Sequence, residues 1–87
     1  MHRHEVDIQA PLEEFSALLC TPGFAEVAVP RQGLGLIALG EGTGYVYRLD
    51  SHRTRVRVLV DGDGDAVHQF VDRIRAQGVG TTHQVLD

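Results

Sequence analysis

The sequence predicts a single α+β domain over residues 1–87, with a mainly antiparallel sheet of four to six strands and two helices on one sheet face. Three observations predict it. Val56, Val58 and Val60 alternate with Arg55, Arg57 and Leu59, the period-two pattern of a half-buried strand. After the turn-forming run Asp61-Gly62-Asp63-Gly64-Asp65, Val67, Phe70, Val71 and Ile74 recur at helical spacing. A strand–helix–strand order then reads twice, over residues 5–29 and 55–86.

The elements follow in order. Residues 5–9 alternate and form a first strand, extendable back to His2, with Val6 and Ile8 inward and Glu5 and Asp7 outward. Pro11 suits a first helical turn, where its missing N–H costs nothing, and Glu13 and Glu14 favour the positive end of the helix dipole. Leu12, Phe15, Leu18 and Leu19 make the buried stripe, and Pro22-Gly23 ends the helix. Residues 24–29 read as a second strand closed by Pro30, and residues 34–39 as a third after a turn at Gln32-Gly33. Gly40-Glu41-Gly42-Thr43-Gly44 reads as a loop and residues 45–49 as a fourth strand. A turn over residues 50–53 leads into the Val56–Val58–Val60 strand. Aspartates of the following run cap the second helix, Gly78 stops it, and residues 81–86 give a last strand.

This order resembles the ferredoxin-like superfold, the split βαβ sandwich, in a decorated version with extra strands between the two halves. The resemblance implies two helices on one sheet face and an opposite face open to solvent or to a partner. It also implies that the first strand lies between the valine strand and the last strand. Regulatory modules of the PII and ACT kinds and acylphosphatases share the order. An acylphosphatase-like activity needs an arginine-bearing phosphate loop after the first strand, and Gln9-Ala10-Pro11 supplies none.

Composition narrows the function classes. A chain of 87 residues with 43% hydrophobic residues can bury one core. The net charge of −4 gives no long-range attraction to a phosphate backbone, so no nucleic-acid partner is expected. No apolar run reaches the roughly 20 residues that span a membrane, so none is expected there either. MHRHEVD lacks the apolar core of a secretory signal, and the single cysteine, Cys20, suits a reducing compartment; the expected location is cytoplasmic.

Five features carry possible chemistry. The first is arginine-rich. A hairpin tip at Ser51-His52 puts Tyr45 opposite Val58 and Tyr47 opposite Val56 on the core side, and Arg48 opposite Arg55 on the open side. Arg48, Arg53, Arg55 and Arg57 then crowd one surface, offset by Glu5 and Asp7, by a second subunit, or by a small anion. The second is the glycine-rich loop with Gly42 and Gly44. A strand rather than a helix follows it, which favours a hairpin over a phosphate cradle, though Gly42 and Gly44 remain candidate ligand contacts beside Arg48, Arg55 and Arg57.

The third is the aspartate run. Asp61, Asp63, Asp65 and Asp72 match calcium-loop spacing, but Ala66 stands where a glycine turn is needed, so turn and cap is the better reading. The fourth is imidazole. His2 and His4 share one side of the first strand and His83 is brought near by the last, a possible metal set; His52 reads as a turn residue and His68 as a helix-flank residue. The fifth, Cys20, reads as a buried structural cysteine.

The expected function is a small non-enzymatic regulatory, ligand-binding or interaction module that works as a homodimer or larger homo-oligomer, with no cofactor implied. The alternatives are a small enzyme or accessory subunit that binds an anionic molecule near the glycine loop and arginine face, and a histidine-based metal-binding protein.

Overall fold

The computed structural model describes residues 2–24, 28–31, 35–40, 42–60, 62 and 64–86. Its elements are β1 (His2–Ile8), α1 (Leu12–Leu19), β2 (Val29–Arg31), β3 (Leu36–Leu39), β4 (Gly42–Arg48), β5 (Thr54–Val60), α2 (Asp65–Ala76) and β6 (Thr81–Val85). Among the described residues the strands form one antiparallel sheet in the order β2-β3-β4-β5-β1-β6. The α+β class, the two helices and the mainly antiparallel sheet are as the sequence predicts, and β1 lies between β5 and β6.

The even-numbered residues of β1, β4 and β5 line the core. Val6 pairs with Val56 and His4 with Val58, while Gly44 and Val46 face Val58 and Val56 from the other side. Ile37 and Leu39 of β3 complete this layer. Both helices close it. Phe15 of α1 and Phe70 of α2 meet edge to face with ring centroids 6.1 Å apart, and Val67, Val71 and Ile74 join the same buried cluster. Thr54 and His4 are buried polar members of the central layer, and the Thr54 hydroxyl donates to the Ala10 carbonyl at 2.9 Å.

Several expected boundaries move. Phe24 lies in a turn, its N–H donating to the Thr21 carbonyl, and pairing of β2 starts at Val29 and continues through Pro30 rather than ending there. A proline is tolerated because β2 is a sheet edge, where one row of backbone groups has no partner strand. The expected turn at Gln32-Gly33 lies outside the described residues, as do residues 25–27 of the expected second strand.

Gly42, Thr43 and Gly44 are strand rather than loop, and the left-handed Gly40 (φ +60°) makes the turn before them. Gly44 is a glycine for a packing reason: a Cβ there would meet Ile37 Cγ1 at 2.9 Å and Val56 Cγ1 at 3.2 Å. The cap of α2 is Gly64, with no side-chain cap bond, rather than an aspartate; Asp61 and Asp63 lie outside the described residues. Helix already runs from Asp65 through Asp72, which removes the calcium-loop spacing. Gly78 (φ +80°) does follow the end of α2. Cys20 caps the end of α1 and is exposed, because it falls one step past Leu19, off the buried stripe.

The largest correction is the β4–β5 register. The turn is a five-residue loop, in which the Leu49 and Asp50 N–H groups both donate to the Arg53 carbonyl, at 3.0 and 3.2 Å. Asp50 Oδ1 accepts the His52 N–H at 2.8 Å, an Asx turn, and its Oδ2 takes Arg53 Nε at 2.8 Å. Arg48 therefore pairs with Thr54, Tyr47 with Arg55 and Tyr45 with Arg57. The register is one residue away from that of a tip at Ser51-His52, and a one-residue shift moves every side chain of β4 to the other face.

Candidate functional site: the open sheet face

The sheet face away from the helices is built of three cross-strand rows. Leu86, Arg3, Leu59, Thr43 and Ala38 form the first. Gln84, Glu5, Arg57, Tyr45 and Leu36 form the second. Thr82, Asp7, Arg55 and Tyr47 form the third.

The central stripe is ionic and internally matched. Arg55 holds Asp7 in a two-bond fork, Nε to Oδ1 at 2.7 Å and Nη2 to Oδ2 at 3.0 Å. It also lies 3.5 Å from Glu5 Oε1, and Arg57 Nε donates to Glu5 Oε2 at 3.1 Å. The Asp7 hydrogen bonds, with the charges of Asp7 and Glu5, push the Arg55 guanidinium's pKa above its ordinary value despite desolvation. Like charges on neighbouring strand positions are thus offset by β1, as the sequence anticipates.

Apolar groups flank the stripe. Tyr45 is 58% exposed, and Leu59, Leu86 and Tyr47 are also exposed. A mostly apolar groove of about 230 Å³ is lined on this face by Arg3, Tyr45, Arg57, Leu59 and Leu86.

The other named residues are elsewhere. Arg48 leaves this face and reaches across to the Glu13 carboxylate of α1. Glu13 is held below the usual carboxylate range by its own backbone N–H at the helix start, then by Arg48. Arg53 pairs with Asp50 in the hairpin loop. Gly42 and Gly44 are buried strand residues in the β3–β4 ladder, on the opposite side of the sheet from Arg55 and Arg57.

No family model, curated protein or solved structure matches this chain.

The histidines gather at the far end of the sheet from the 49–53 loop. His4 is buried on the core side, and its Nδ1 lies 2.8 Å from His83 Nε2, with the two rings stacked at 5.1 Å. His68 of α2 stands 4.9 Å from His83 and 6.5 Å from His4, centroid to centroid. Burial lowers the pKa of both His4 and His83, and the neighbouring imidazoles add to it. Among the described residues no three histidine, cysteine or acidic side chains are placed, as they stand, to hold a metal ion. His2 lies at the exposed start of β1, two residues before His4 on the same strand, and its charge adds to the lowering of the His4 pKa. His68, read from the sequence only as a helix-flank residue, joins His4 and His83. Its sequence signal is its position beside Val67 in the first turn of α2, on the flank turned to β6.

Proposed function

We propose that the chain is a decorated split-βαβ domain that works as a non-enzymatic interaction module, assembling with a second copy through its open sheet face. The fold reading rests on the neighbours β6-β1-β5-β4, with α1 following β1 and α2 linking β5 to β6; β2 and β3 are then the decoration beyond β4. The observation that carries the function is the exposed cluster of Tyr45, Tyr47, Leu59 and Leu86 around a stripe whose arginines are already paired.

Tyrosine and arginine are the residue types that interfaces favour, and exposed apolar groups on one flat face are what a partner covers. Internal pairing matters for self-association. A two-fold contact brings the same patch against itself, so unpaired arginines would repel their copies, whereas matched pairs do not. The anionic-ligand reading has weaker support, since Arg55 is occupied by Asp7 and Arg48 points to α1.

Sedimentation equilibrium tests the proposal. The expected result is a reversible dimer that the double variant Tyr45→Glu, Leu59→Glu converts to a folded monomer. A wild-type chain that stays monomeric across the micromolar range removes self-association.

A further inference from the structure

His4, His68 and His83 come from β1, α2 and β6, and they are far apart in sequence. The fold gathers them at one end of the core, where no catalytic or binding role has yet been assigned. His4 is a buried imidazole whose cross-strand partner is Val58, and its contact with His83 is the polar interaction that satisfies it there. The backbone is also shaped around this ring. A Cβ on the left-handed Gly64 would lie 2.9 Å from His4 Cε1 and 3.0 Å from His4 Nε2. No other residue type fits there without moving the histidine.

The spacing has a chemical meaning. Three imidazoles bound at about 2.1 Å to one tetrahedral ion hold their ring centroids about 5 Å apart and their ligating nitrogens about 3.3 Å apart. The His4–His83 and His68–His83 centroid distances are 5.1 and 4.9 Å. The His4 Nδ1 to His83 Nε2 distance of 2.8 Å is that of a pair sharing one proton. An ion bound by both rings requires them to turn from this in-line contact until their lone pairs converge at the tetrahedral angle, which opens the nitrogen–nitrogen distance to about 3.3 Å. His68 is the ring that must move. It stands 6.5 Å from His4 and is an exposed helix side chain, so its own torsions are the ones available to bring it closer.

We infer that His4, His68 and His83 form a binding site for a divalent transition-metal ion of the zinc class, with a fourth coordination position left to solvent. Imidazole ligands suit Zn²⁺, Co²⁺ and Ni²⁺ over Ca²⁺ and Mg²⁺, which demand oxygen. The bound ion ties the edge strand β6 to β1 and α2, and so stiffens this end of the sheet.

Cobalt titration of the untagged full chain, stripped with chelator, tests the site. The expected result is one Co²⁺ per chain with the intense visible absorption of a four-coordinate site, displaced by Zn²⁺. His68→Ala, a change on the helix surface, is expected to weaken Co²⁺ binding by at least tenfold, and His2→Ala to leave it unchanged. Absence of Co²⁺ uptake at a several-fold excess overturns the proposal. So does binding that survives His68→Ala and is lost with His2→Ala, which puts the ion at the chain's first residues. If His68→Ala does not fold, the imidazole ¹⁵N spectrum of the unaltered chain decides. Zn²⁺ must shift the ring nitrogens of His4, His68 and His83 while leaving His52 in place, and any other pattern counts against the site.

Discussion

Gly44 illustrates how one position can be constrained from two strands at once. It faces Ile37 on β3 and Val56 on β5, and both side chains occupy the space a methyl group would need. Gly44→Ala is expected to destabilise the fold by about 1–3 kcal/mol through overpacking, read as a lower urea midpoint with unchanged slope. A stability equal to wild type would show that Ile37 and Val56 can give way. The sequence does not reveal this constraint, because a glycine among glycines reads as loop. His68 was hidden for a similar reason. One histidine on a helix flank has no period, and its meaning comes only from His4 and His83, residues on other elements. By contrast, Glu5 and Asp7 could be placed against the arginines in advance, because parity along β1 and β5 fixes which face each occupies.

At the scale of elements, β5 and α2 are the most legible, since alternating valines and a four-residue apolar stripe each admit one reading. The hairpin before β5 is not. Its register depends on whether Asp50 folds back to cap His52 and grip Arg53, which is a matter of local hydrogen bonds rather than of hydrophobic pattern. That contact has a pH signature. The Arg53 side chain, then the His52 N–H, hold the Asp50 carboxyl below its ordinary pKa. The charged form is therefore the one that the fold favours. Its contribution is present above the ordinary carboxylate pKa of about 4 and is lost as pH falls through the lower native value. In thermal melts, the difference between wild type and Asp50→Asn is expected to shrink steadily below about pH 4. A difference that is constant from neutral to acid pH would mean the carboxylate charge contributes nothing. The edge strand β2 was misplaced because a proline reads as a terminator, whereas a sheet edge accepts it within the strand.

For the whole molecule, the layered plan of one sheet with two helices is written in the order of apolar patterns, while the position of β1 between β5 and β6 is implied only by the resemblance in element order. What the plan leaves out is the character of the second face. A one-residue difference in a turn brings Tyr45 and Tyr47 out of the core and sends Arg48 to α1, changing a crowded cationic surface into a neutralised, partly aromatic one. The sedimentation experiment therefore addresses a property of the assembled sheet that no single strand carries. No helix among the described residues is long and apolar enough to cross a membrane.

The placement of β1 also bears on how the chain reaches this state. Within this domain β1 is made before both of the strands that hold it, β5 and β6. Asp7 waits for Arg55, 48 residues on, and His4 for His83, 79 residues on. During translation β1 emerges with its valine side uncovered and has no lasting partner until most of the chain exists. Contacts so distant along the chain make folding slow relative to helical domains of this size, on the order of milliseconds to seconds. In that interval β1 has an uncovered apolar side and two unpaired edges, the features that make a strand prone to wrong pairing.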